Sequence, residues 1–133
     1  MSNSSKYKKP FSWKERAKSF DFSFQGIFRF FREEHNARIH FVMSILALIL
    51  SWILQCSKME WAIIILCIVI VLTTEMINTA IERLADAAHP AQHPLIKACK
   101  DIASGAVLTA SIGAVIIASI ILLPKVWLFC QTL

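Results

Sequence analysis

The chain has 133 residues, 56% of them hydrophobic and only 17% charged, with positive mean hydropathy. That balance belongs to membrane proteins and argues against an ordinary soluble domain. The net charge of +5 would suit nucleic acid, but the basic residues are apportioned between membrane-flanking segments, which points to lipid headgroups and away from nucleic acid.

Residues 1–10 are polar, rich in lysine and end at Pro10, so a flexible basic tail is expected ahead of a single domain over 11–133. Ser12 and Glu15 have capping-box spacing and open a predicted surface helix over about 12–37. Trp13, Ala17, Phe20, Phe24, Ile27, Phe28 and Phe31 recur at steps of three and four, with Lys14, Arg16, Lys18, Gln25, Arg29 and Arg32 largely elsewhere. The pattern predicts an amphipathic helix lying in the membrane interface, with a break expected near Gly26. Its aromatic stripe serves either as an anchor in the headgroup layer or as a surface where lipid enters.

Three stretches, about 39–54, 61–84 and 102–123, are long enough or nearly so to cross a bilayer core. None reads as a cleavable signal peptide. Nine of the fourteen Lys and Arg residues precede the first stretch, Lys58 alone lies between the first and second, Arg83 stands at the end of the second, and Lys97 and Lys100 lie between it and the third. By the positive-inside rule the N-terminus and the second loop of this multi-pass chain are expected to face the cytoplasm. Pro90 and Pro94 predict that 87–94 leaves the helix.

In the third stretch Ala106, Ala110, Ala114 and Ala118 form one stripe, and Gly105, Thr109 and Gly113 form its neighbour. Small residues at that spacing let helix backbones approach closely in lipid. Three helices make a thin bundle, so an oligomer is expected. Cys56, Cys67, Cys99 and Cys130 show no metal-type spacing and read as apolar filler.

The second stretch carries the chemistry. From Trp61 to Leu72 it offers twelve apolar residues, about 18 Å of helix, too short to cross alone. Glu75 must therefore sit inside the hydrocarbon zone. Glu75, Asn78, Glu82 and Asp86 share one side of a helix and form a polar stripe that cannot face lipid. A carboxylate there costs roughly 3 kcal/mol or more, so it is paired, neutralised or used. Glu75 and Asn78 could simply bond helices together, but asparagine alone would suffice for that. Two glutamates about 10 Å apart suit separate tasks, an outer one for a metal and a desolvated inner one to take a proton.

Lys100 and Asp101 stand at the cytoplasmic start of the third stretch, where an ammonium and a helix N-terminus both attract phosphate. Lys100 alone would also serve as an ordinary snorkelling anchor. Before the first stretch, Glu33 and Glu34 interrupt a basic segment. Either could give a carboxylate to magnesium, a hard cation that takes few protein ligands beside phosphates. A solvated helix face is the plain alternative.

At these positions the chain resembles the bacterial membrane diacylglycerol kinase and undecaprenol kinase family. Glu75-x-x-Asn78-x-Ala80-Ile81-Glu82-x-x-x-Asp86 is similar to that family's signature, and His93-Pro94-Leu95 followed by Cys99-Lys100-Asp101-x-x-Ser104-Gly105-Ala106-Val107 resembles its second block. The resemblance extends over about 16–124. It implies an all-α homotrimer of three-helix subunits, each with an N-terminal surface helix and active sites between subunits.

By that resemblance Glu75 is the base for the lipid hydroxyl, with Asn78 positioning groups beside it. Glu34 and Glu82 would bind magnesium carried with ATP, while Lys100, Asp101 and His93 would contact the nucleotide. Many relatives have a basic residue eleven positions before the glycine matching Gly26; this chain has Glu15 there, so either the adjacent Arg16 substitutes as a nucleotide contact or that contact is lost. No Gly-rich P-loop appears, which excludes a conventional nucleotide fold.

The segment Glu34 to His40 and the His-Pro-Leu before Lys100 look more like the undecaprenol kinases than the diacylglycerol kinases. Undecaprenol is therefore the favoured lipid alcohol, with diacylglycerol second. The alternative from another class is a non-catalytic helical scaffold or a small transporter subunit.

Overall fold

A computed structural model describes residues 12–88 and 93–131. The expected N-terminal tail and Pro90 lie outside the described residues. All secondary structure among the described residues is helical, in the order α1 (Trp13–Glu33), α2 (His35–Ile53), α3 (Lys58–Ala88) and α4 (Pro94–Cys130). Three of these, α2, α3 and α4, are long and apolar enough to cross a membrane.

The Ser12 hydroxyl accepts from the Glu15 amide at 3.5 Å and opens α1. The helix then runs unbroken through Gly26, contrary to expectation. A glycine's conformational freedom is only a local penalty of about 1 kcal/mol, which continuous hydrogen bonding absorbs. The break falls instead at Glu34, whose φ of −97° and ψ of 124° are extended. The segment predicted as one helix over about 12–37 is thus two helices meeting at a one-residue corner.

Gln55, at a φ of 51°, lies in the left-handed region and turns the chain between α2 and α3. Next comes a complete capping box that sequence reading passed over. The Glu60 carboxylate accepts from the Ser57 amide at 2.6 Å, and the Ser57 hydroxyl accepts from the Glu60 amide at 3.4 Å. Glu60 also pairs with Lys125 at 3.2 Å, tying the first turn of α3 to the far end of α4.

Helix α4 begins at Pro94, where a proline's missing donor costs nothing, with His93 as its N-cap. Lys100 and Asp101 accordingly sit near its second turn rather than at the helix start expected near residue 102. Pro124 lies inside α4 without ending it. The 31 residues of α3 and 37 of α4 make helices about 46 and 55 Å long, both well beyond a bilayer core of about 30 Å.

Helix α3 packs mainly along α4, with α2 against α3 and only a light contact of α1 on α2. Ile64 and Val71 of α3 and Ala103, Val107 and Leu122 of α4 are the buried apolar residues of these two helices, and Ala37 and Phe30 are buried near the Glu34 corner. This core is thin. Only 11, 22 and 6% of the apolar windows of α2, α3 and α4 are buried within the chain, so the rest must meet lipid or another protein surface.

The small-residue stripes divide. Ala114 and Ala118 line a cavity of about 310 Å³ between α2, α3 and α4. A Cβ added at Gly105 or Gly113 would meet nothing within 4 Å, so the close packing expected of that stripe is not made inside the subunit. The cysteines are free, and Cys99 and Cys130 are exposed, so these two do not fill the interior.

Candidate functional site

The expected polar stripe is present on α3 and grades from closed to open. Glu75 is 3% exposed and Asn78 7%; Glu82 is partly covered and Asp86 is exposed. Helical spacing of three and four residues puts the four on one side, and that side faces the chain's other helices.

Across from Glu75 stands α2. Asn36 is within hydrogen-bonding reach of the Glu75 carboxylate, His40 lies beside it, and Glu34 and Glu82 are close enough to act on it through their charge. Asn36 and His40 had not been singled out in the sequence. Their signal is the i, i+4 spacing that aims both from one face of α2. On α3 itself, Asn78 Nδ2 donates to Glu82 Oε1 at 3.1 Å.

Arg83 joins this centre to the helix corner. Its Nη2 donates to Glu34 Oε1 at 2.6 Å, and its Nη1 meets Glu33 Oε2 at 2.9 Å. Sequence reading treated Arg83 only as loop charge. What betrays it is a lone cation placed directly after the glutamate of a buried acidic stripe.

On α4 the Lys100 ammonium donates to Asp86 Oδ1 at 2.9 Å and lies near Glu82, so Lys100 reaches the outer end of the stripe. Asp101 instead pairs with Lys97 on its own helix. His93 Nδ1 accepts from the Leu95 amide at 3.3 Å as a cap. Arg16 stands seventeen residues before Glu33 on α1, about 26 Å along the helix axis. One subunit thus gathers Glu34, Glu75, Asn78, Glu82 and Lys100, and leaves Arg16, His93 and Asp101 at its margins.

Among the described residues no three His, Cys, Asp or Glu side chains converge to hold a metal ion. Magnesium requires less, since it is commonly bound through one or two carboxylates, its other ligands being water and phosphate. Glu34 at the α1–α2 corner and Glu82 on α3, both close enough to act on Glu75 through their charge, are carboxylates of the kind that requirement asks for. Beside them Asn78 Oδ1 is buried and accepts no hydrogen bond from the described residues. An orphaned oxygen at this point suits a donor or cation brought by a ligand.

Residues 21–122 match the family described as prokaryotic diacylglycerol kinase. The chain belongs to that family. All the gathered residues fall inside the match; Arg16 lies before it. An undecaprenol kinase of Bacillus subtilis is 39% identical over 108 residues, 81% of this chain and 88% of that protein. A diacylglycerol kinase of Synechocystis sp. is 34% identical over 107 residues, covering 80% of this chain and 61% of that relative. Another, from Helicobacter pylori strain J99, is 30% identical over 96 residues, 72% and 75% of the two chains. As a prokaryotic diacylglycerol kinase family member, the protein is a multi-pass membrane lipid kinase, a phosphotransferase acting on an alcohol.

Proposed function

We propose that this kinase transfers the γ-phosphoryl group of ATP to undecaprenol at the cytoplasmic face of a bacterial inner membrane. Diacylglycerol is the second candidate. The observation that carries the reading is a nearly sealed glutamate, Glu75, flanked by carboxylates from two helices at the end of an apolar run. The preference for undecaprenol is supported by the Glu34-x-Asn36-x-Arg38 context and by the 39% identity to the Bacillus subtilis enzyme.

Glu75 takes the proton of the lipid hydroxyl as its oxygen attacks the γ-phosphorus. The bond to the β,γ-bridging oxygen breaks, and ADP leaves with a lipid phosphate as product. Asn36 and Asn78 hold the base and its neighbours in place. Glu34 and Glu82 would hold magnesium, which neutralises charge on the phosphates when bound. Lys100 supplies a further cation for the nucleotide, with Asp101, His93 and Arg16 as outer contacts. Phosphoryl transfer asks for little beyond this positioning and neutralisation.

The working form proposed is a homotrimer, in which the margin residues of one subunit complete the site of the next. The large bare apolar area of the spans supports this reading. Helix α1 is proposed to lie in the cytoplasmic headgroup layer, with Trp13, Phe20, Phe24 and Phe28, all more than 60% exposed, dipped into lipid.

The test is radiolabelled ATP with magnesium and each lipid in turn, in mixed micelles. Preferential labelling of undecaprenol is expected. Labelling of diacylglycerol instead would reassign the substrate, and labelling of neither would overturn the proposal.

A further inference from the structure

Glu34 occupies the N-cap of α2, where a carboxylate ordinarily turns back to accept amides of the first turn, worth about 1 kcal/mol. It makes no such bond. The side chain is drawn the other way, across to α3, where Arg83 Nη2 holds Oε1 at 2.6 Å. The same guanidinium takes Glu33 Oε2 at 2.9 Å, so one planar fork grips the residues on either side of the step between α1 and α2. A guanidinium can present two parallel donors in this manner; an ammonium cannot.

From these contacts we infer that Arg83 is a positioning residue for the metal–nucleotide ligands: it holds the Glu34 carboxylate off its own helix and beside Glu82 and Glu75. The inference rests on the proposed role of Glu34 toward magnesium and ATP. Arg83 lies on the same turn of α3 as Glu82, about 100° round the helix from it, and the Glu34 it holds is close enough to Glu75 to act on it through its charge. Its charge offsets the repulsion among Glu33, Glu34 and Glu82 while no cation is bound. The grip uses one oxygen of Glu34 and leaves Oε2 for a second partner. Partners that orient metal-binding side chains commonly matter about 10- to 100-fold in affinity or activity.

The test is titration of the full-length protein in nanodiscs with magnesium and the non-hydrolysable β,γ-methylene analogue of ATP, read by calorimetry, beside steady-state kinetics. Arg83→Ala is expected to weaken analogue binding by about 10- to 100-fold. The KM for magnesium-ATP should rise in step, with kcat and the KM for lipid within about twofold of wild type. Arg83→Lys, which keeps the charge and guards against a folding defect in the alanine variant, should recover only part of the binding.

A clamp with a structural role alone would lower thermal stability and disturb both substrates alike. Unchanged analogue binding in Arg83→Ala, or full recovery in Arg83→Lys, overturns the inference. Glu34→Gln separates the layers: if it weakens binding while Arg83→Ala does not, positioning fails and the role of Glu34 stands. If Glu34→Gln binds as wild type does, the underlying ligand role fails and the inference falls with it.

Discussion

At Glu75 a carboxylate is 3% exposed in a helix whose preceding residues would sit comfortably in hydrocarbon, and the chain retains it where leucine would pack at no electrostatic cost. A general base is worth about 10²- to 10⁴-fold in rate. Glu75→Gln keeps shape and one acceptor but removes that function. Turnover should fall by about that factor, while crosslinking shows the same assembly and calorimetry the same nucleotide affinity. Undiminished turnover would remove Glu75 from the chemistry. The acid was legible in sequence because it falls too near an apolar run to escape the membrane. Asn36, His40 and Arg83 were not, because each looks ordinary within its own segment and gains meaning only from α2 lying against α3.

At the scale of elements, the three spans were legible because apolar length is the strongest signal a membrane sequence carries. Their ends were less so. The corner at Glu34 lies in a polar run with no proline or glycine, and nothing local marks it; the contact with Arg83, 49 residues away, favours it. Reading α4 from hydropathy alone set its start near 102, whereas Pro94 and the His93 cap start it eight residues earlier.

The outward Gly105 and Gly113 of α4 lead to an expected outcome of their own. Gly113→Leu meets no obstacle within the subunit, and leucine is also the better helix former. It should leave helicity by circular dichroism unchanged while shifting chemical crosslinking from the proposed trimer toward monomer. Persistence of the trimer would place the contact between copies on another face.

For the whole molecule, the described helices leave most of their apolar surface to lipid or to another protein surface. Too little of each span is covered for the chain to bury its own apolar surface. The expected orientation is tested with single-cysteine variants keeping Cys99 or Cys130, both exposed and at opposite ends of α4. In intact cells a membrane-impermeant maleimide should label Cys130 and spare Cys99 until the membrane is opened. The reverse pattern would invert the topology.

The surplus length of α3 and α4 has a consequence for how two immiscible reactants meet. Helices about 46 and 55 Å long exceed the thickness of the oily layer, and in the orientation proposed above the turns left over at the cytoplasmic end carry Asp86 and Lys100. On the proposed function, a highly charged triphosphate docks there while still wetted by the cytosol. The greasy alcohol need only raise its hydroxyl to the waterline, so neither reactant has to abandon its own solvent.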